Sequence, residues 1–189
     1  MPLTHYGFVT AMQSAKSKSD FVRLALDSWD MVLEGLKGEV VVLENEREVE
    51  CYFVHCCITL MRERRFSTPY AIFAEDSLDS EEKHPKKCDL VLGRAVAIEM
   101  KNRKSINTEE INEVKEDVLR LESYIREQNM FAGVFLMIDQ TRRYKQQIAQ
   151  FLESKTQSDS ISWQETRVPG RKEALHTLVV VLLSRQTGP

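Results

Sequence analysis

The chain has 189 residues, 42% hydrophobic and 29% charged, which suits one soluble globular domain with a sizeable core. No apolar run is long enough to span a bilayer, and Met1–Thr10 lacks a basic start followed by an apolar stretch. No membrane partner and no signal peptide are expected, which makes the cytoplasm the default compartment; the net charge of −3 and pI near 5.9 do not advertise a nucleic-acid binder.

In chain order, Asp20 can cap a helix running to about Lys37, with Phe21, Leu24, Trp29, Val32, Leu33 and Leu36 as its buried positions and Gly38 as its end. Glu39–Leu43 is a short apolar run, either a strand or a lead-in. A second helix is expected over about Asn45 to Arg64, because Val49, Tyr52, Phe53, Cys56, Cys57 and Leu60 recur at spacings of three and four. Tyr70–Phe73, Cys88–Leu92 and Ala95–Lys101 read as three strands of a meander, the last two joined by a tight turn at Gly93–Arg94. Glu75–Glu82 between the first two is an acidic, solvated turn.

Thr108 opens a long amphipathic helix with Ile111, Val114, Val118, Leu121 and Ile125 on its apolar side and a charged, solvated opposite side. Phe131–Ile138 is nearly all apolar and fits a strand covered on both faces. A helix over Tyr144–Leu152, an edge strand over Ile161–Thr166 and a buried strand over Leu175–Leu183 complete the series. The fold class is α/β: a mixed β-sheet with helices on both faces. One domain covers 1–189, with 1–40 a helical N-terminal extension and 41–185 the core.

The four cysteines, Cys51, Cys56, Cys57 and Cys88, lack paired spacing and read as buried thiols rather than a zinc site or a disulfide framework. The histidines His5, His55, His84 and His176 show no metal-ligand spacing. Charge is uneven along the chain. Lys83 to Lys104 carries seven basic residues against Asp89 and Glu99, directly after the five acids of Glu75–Glu82. A polyanion docking on one face responds to such local fields more than to net charge.

The chemistry lies in Cys88-Asp89-Leu90-Val91-Leu92-Gly93-Arg94-Ala95-Val96-Ala97-Ile98-Glu99-Met100-Lys101. A hairpin turning at Gly93–Arg94 brings Asp89, at the start of one strand, towards Glu99, at the end of the next. Glu99 and Lys101 are two apart and point to the same face. Two converging carboxylates are hard oxygen ligands suited to Mg²⁺, and the backbone carbonyl of Met100 is a candidate third ligand. A lysine beside them can orient the attacking water and offset phosphate charge, the combination that phosphodiester hydrolysis needs. Three other Glu-x-Lys pairs occur, at Glu81/Lys83, Glu113/Lys115 and Glu153/Lys155. Only Glu99/Lys101 follows an apolar strand with a strand-borne Asp one hairpin earlier. The bland alternative for Asp89, Glu99 and Lys101 is a structural cross-strand salt bridge.

This pattern resembles the PD-(D/E)XK, or restriction-endonuclease-like, nuclease superfamily over about Leu43 to Ile138, with Asp89…Glu99-Met100-Lys101 matching its motif. Cys88 stands where the family name implies proline, with Pro85 a few residues earlier. The resemblance implies a metal-dependent endonuclease that hydrolyses DNA with Mg²⁺ or Mn²⁺. It also implies a carboxylate near the start of the preceding helix, and Asn45-Glu46-Arg47-Glu48-Val49 is similar to that stretch of archaeal Holliday-junction resolvases. Glu46 shares the face of Val49 and Phe53, with Glu48 and Glu50 as alternatives. Asn102-Arg103-Lys104 is read as a phosphate contact. With no second domain legible, recognition would rest on DNA structure, a homodimer or a partner protein. A member of a different class, a catalytically inactive binding or assembly module on the same fold, is the competing expectation.

Overall fold

The computed structural model describes residues 17–38, 41–64, 66, 72–76, 88–104, 108–141, 148, 150–151, 160–168 and 174–184. Helix α1 spans Lys18–Lys37 and α2 spans Glu46–Glu63. Both begin with the same device. Ser17 caps α1 and Asn45 caps α2, each accepting from the backbone N–H three residues on, while Asp20 and Glu48 reach back to the cap. Asp20 is therefore the return partner of the box rather than the cap itself, which moves the helix start to Lys18.

Alternating and fully apolar runs give the strands: β1 Ile72–Asp76, β2 Cys88–Leu92, β3 Val96–Arg103, β4 Ala132–Asp139, β5 Ser160–Thr166 and β6 Leu175–Leu183. Helix α3, Thr108–Glu127, lies between β3 and β4. The sheet order is β1-β2-β3-β4-β6-β5, with β3 and β4 parallel and every other neighbour antiparallel. The first three strands form the expected meander, and α3 is the crossover that the parallel β3–β4 pair requires. Residues 41–44, where a strand or lead-in is expected, form no regular element. Glu75 and Asp76, expected in the acidic turn, instead end β1, while the rest of that turn and most of the helix expected over Tyr144–Leu152 lie outside the described residues.

Alternate residues of the strands enter two different apolar clusters. Leu90, Leu92, Val96, Ile98, Val134 and Leu136 pack with α1 and α2. Val91, Ala97, Phe135 and Met137 pack with Ile111, Val114, Val118 and Leu121 of α3. Phe21, Leu24, Trp29, Val32 and Leu33 of α1 lie in the first cluster, packed with α2 and the strands. Among the described residues no helix is long and apolar enough to cross a membrane.

Two glycines fix the parts that matter to the site. Gly93 and Arg94 both have positive φ, 58° and 53°, in the mirror-image turn that suits right-twisted strands. A Cβ on Gly93 would also lie 2.4 Å from the Phe21 ring, so α1 seals the turn. Gly133 of β4 lets α3 sit close, since a Cβ there would be 2.9 Å from Leu121 Cβ.

Candidate active site

The hairpin sets the register. Leu90 faces Ile98 across β2 and β3, so the next residues outward, Asp89 and Glu99, are cross-strand neighbours. The two carboxyl groups lie close enough for the Asp89 charge to act directly on Glu99. Asp89 Oδ2 also accepts the Met100 backbone N–H at 2.7 Å, which pins the carboxylate to the neighbouring strand. Glu99 is only 1% exposed. Burial, then the Asp89 charge, pushes its pKa up to about 8, against the opposing pull of Arg120 and Lys101. Its Oε1 receives no hydrogen bond, although Arg120 Nε stands 3.5 Å away. That separation gives attraction between charges without a formed hydrogen bond.

Lys101, two residues further along β3, is held between two helices. Its Nζ donates to Glu46 Oε1 of α2 at 3.0 Å and lies 3.2 Å from Asp117 Oδ2 of α3. Asp117 Oδ1 in turn carries Arg120 Nη2. The sequence-predicted Asp89, Glu99, Lys101 and Glu46 are thus brought to one end of the sheet, with Met100 buried between Glu99 and Lys101 along β3.

The three glutamates at the head of α2 separate by role. Glu48 accepts from the backbone N–H groups of Glu44 and Asn45, which, led by the Glu44 bond, hold its carboxyl below the usual range. It is spent on the helix cap. Glu46 takes Lys101. Glu50, one turn after Glu46, pairs with Arg47 at 3.2 Å and feels Asp89; burial first, then that charge, raises its carboxyl.

Asp117 and Arg120 are the residues that sequence reasoning missed. The charged side of α3 is expected to be solvated, yet Asp117 is 3% exposed. Glu113, Asp117, Arg120 and Tyr124 recur at spacings of four, three and four, a second row beside the apolar stripe. That row was the available signal. The expected phosphate contact is also revised. Asn102 donates to Leu43 O at 3.4 Å and accepts from Gln140 at 2.7 Å, and Arg103 pairs with Glu113 at 2.6 Å. Lys104 alone of the three is exposed.

Cys88, Cys56 and Cys57 are buried as expected; Cys51 is not, and faces solvent. Cys88 adjoins the acids, but burial pushes its thiol far above the usual range, and its Sγ is 3.1 Å from the carbonyls of Leu90 and Ile98. It has no nucleophilic character in this setting.

Among the described residues, no three His, Cys, Asp or Glu side chains form a ready-made metal cage. The donor chemistry nonetheless fits a divalent cation assisted by backbone and water. Two hard carboxyl groups are in contact, and one buried oxygen of the pair accepts no hydrogen bond. Four acids, Glu46, Asp89, Glu99 and Asp117, face two cations, Lys101 and Arg120, so negative charge is in excess. No family model matches the chain, and neither a curated protein nor a solved structure matches it.

Proposed function

We propose that this chain is a metal-dependent endonuclease, hydrolysing DNA phosphodiester bonds on a restriction-endonuclease-like fold with helices on both faces of the sheet. The observation that carries the reading is the partly buried Asp89 carboxyl set against the buried Glu99 carboxyl, with Lys101 two residues further along the same strand. Placing a second carboxyl group against one that is out of water is unfavourable unless a cation or proton joins them. The two apolar clusters on alternate strand residues and the β3–α3–β4 crossover support the architecture.

Asp89, Glu99 and the Met100 carbonyl would hold Mg²⁺ or Mn²⁺. When bound, the ion supplies Lewis-acid polarisation of the phosphoryl group and a hydroxide-like nucleophile at neutral pH. Lys101 offsets charge growing on the phosphate and orients water through its ammonium protons. Glu46 holds that ammonium from the α2 side. Substrate choice would then come from DNA structure, a second copy or a partner protein.

The test is cleavage of duplex, single-stranded and branched DNA in Mg²⁺, Mn²⁺ or EDTA, beside Asp89→Ala and Lys101→Ala. Metal-dependent cutting lost in both variants supports the reading. No cutting of any substrate by wild type removes it. A second reading, a non-catalytic binding or assembly module, is favoured by one observation: both cations are already neutralised by acids of the same chain.

A further inference from the structure

Asp117 is the buried acid that the catalytic reading leaves without a task. It projects from α3, not from the strands that carry the carboxyl pair, and its two oxygens serve different cations. Oδ2 lies 3.2 Å from Lys101 Nζ, and Oδ1 meets Arg120 Nη2. Arg120 is also the cation nearest the open oxygen of Glu99, at 3.5 Å. A guanidinium prefers a bidentate carboxylate. Were it released from Asp117, Glu99 is the acid beside it, and closing onto Glu99 would occupy the oxygen that a divalent ion needs. Lys101 is under the same constraint, held by Glu46 and Asp117 on either side.

We propose that Asp117 is the positioning residue of this site, holding Lys101 and Arg120 through its two oxygens and so limiting how closely either cation closes onto the Asp89–Glu99 pair. This inference rests on the nuclease reading, because it assigns Asp117 a role towards the ion held by that pair. It makes charge, not shape, the operative property of Asp117. Removing the negative charge while keeping the outline frees a cation to compete with the metal. Removing the freed cation as well restores the balance.

The experiment is titration of the full-length chain with Mn²⁺ alone, following the free ion by electron paramagnetic resonance. Asp117→Asn is expected to weaken Mn²⁺ binding about 10-fold or more, as the loss of a partner outside the ligand set commonly does. Arg120→Gln, which removes a competing cation, is expected to tighten binding. The double variant D117N/R120Q is expected to bind within about threefold of wild type, the two effects cancelling as coupled neighbours do. DNA cleavage by the double variant stays impaired, because Lys101 has lost one of its two holds.

Several results overturn the proposal. Equal Mn²⁺ affinity in wild type and a folded Asp117→Asn variant makes Asp117 a structural ion-pair partner only. Failure of the double variant to recover affinity does the same. Should Asp117→Asn not fold, Arg120→Gln decides: unchanged or weaker Mn²⁺ binding sinks the idea. Wild type that binds no Mn²⁺ at all overturns the nuclease reading and this inference with it, which separates the two failures.

Discussion

Arg103 of β3 and Glu113 of α3 meet at 2.6 Å, and this pair is one rung of a ladder. The next rung is Lys101 with Asp117, and the next Glu99 with Arg120. On the strand the rungs are two residues apart, which keeps them on one face. On the helix they are four and three apart, which keeps them on one row. The sign of the pairing reverses at the last rung. There the acid is on the strand, so Glu99 faces Arg120 of α3 while the β2–β3 register sets Asp89 beside it.

The rungs should differ sharply in stability. Glu113 is half exposed, so Glu113→Ala should cost less than about 1 kcal/mol. Asp117→Ala leaves two cations at a buried site without their shared acid, and should cost about 3–5 kcal/mol. Urea unfolding midpoints read the difference. Equal costs would mean that water reaches Asp117 and that the ladder is a surface feature.

A divalent ion should stabilise the fold through the same carboxyl pair. At about 100 times its Kd, an ion that binds only the folded chain adds about 2.7 kcal/mol to unfolding. Mn²⁺ should therefore raise the unfolding midpoint of wild type, and Asp89→Asn and Glu99→Gln should lose that increment. Retention of the increment in both variants would put the ion elsewhere on the chain.

How much of this was legible beforehand follows from what each residue pattern encodes. Strand-bracketed charges are conspicuous, so Asp89, Glu99 and Lys101 stand out against Val96-Ala97-Ile98. The Gly93–Arg94 turn sets which residues face each other, so their convergence was also readable. Glu48 could have been set aside from sequence as well, because Asn45-x-x-Glu48 is a capping signature. Asp117 and Arg120 were hidden for a physical reason. A helix's periodicity marks its most apolar stripe, but not how far the neighbouring row leans over a strand end. That lean depends on the closeness of α3 to the sheet, which Gly133 permits. The three glutamates of α2 divide by tertiary contact, and only Lys101 and Asp89 separate Glu46 from Glu50.

The thiols give a pH dependence. Cys57 sits in the core between α1, α2 and the sheet, and burial pushes its pKa from 9.0 up to about 12. Above pH 9 the unfolded chain releases this proton while the folded chain keeps it. The folded state then binds more protons, so stability falls as pH rises from 9 towards 12. The fall in unfolding free energy between pH 8 and pH 10.5 should be smaller in Cys57→Ala than in wild type. Alkylation should follow the same division: exposed Cys51 reacts with iodoacetamide in the native protein, and Cys56, Cys57 and Cys88 react only on unfolding. An equal pH slope in Cys57→Ala would mean that the thiol ionises freely in the fold.

Gly93 carries two separable demands, and substitution can tell them apart. Its φ of 58° disfavours any residue with a Cβ, though asparagine tolerates it better than alanine. The Phe21 ring, 2.4 Å from the place of a Cβ, rejects both equally. If the contact with α1 dominates, Gly93→Ala and Gly93→Asn should each cost about 2–4 kcal/mol and differ by less than about 1 kcal/mol. If backbone conformation dominates, Gly93→Asn should stay near wild type. The first outcome makes α1 a clamp on the turn that aligns Asp89 with Glu99, and Mn²⁺ affinity should then fall in both variants even where they remain folded.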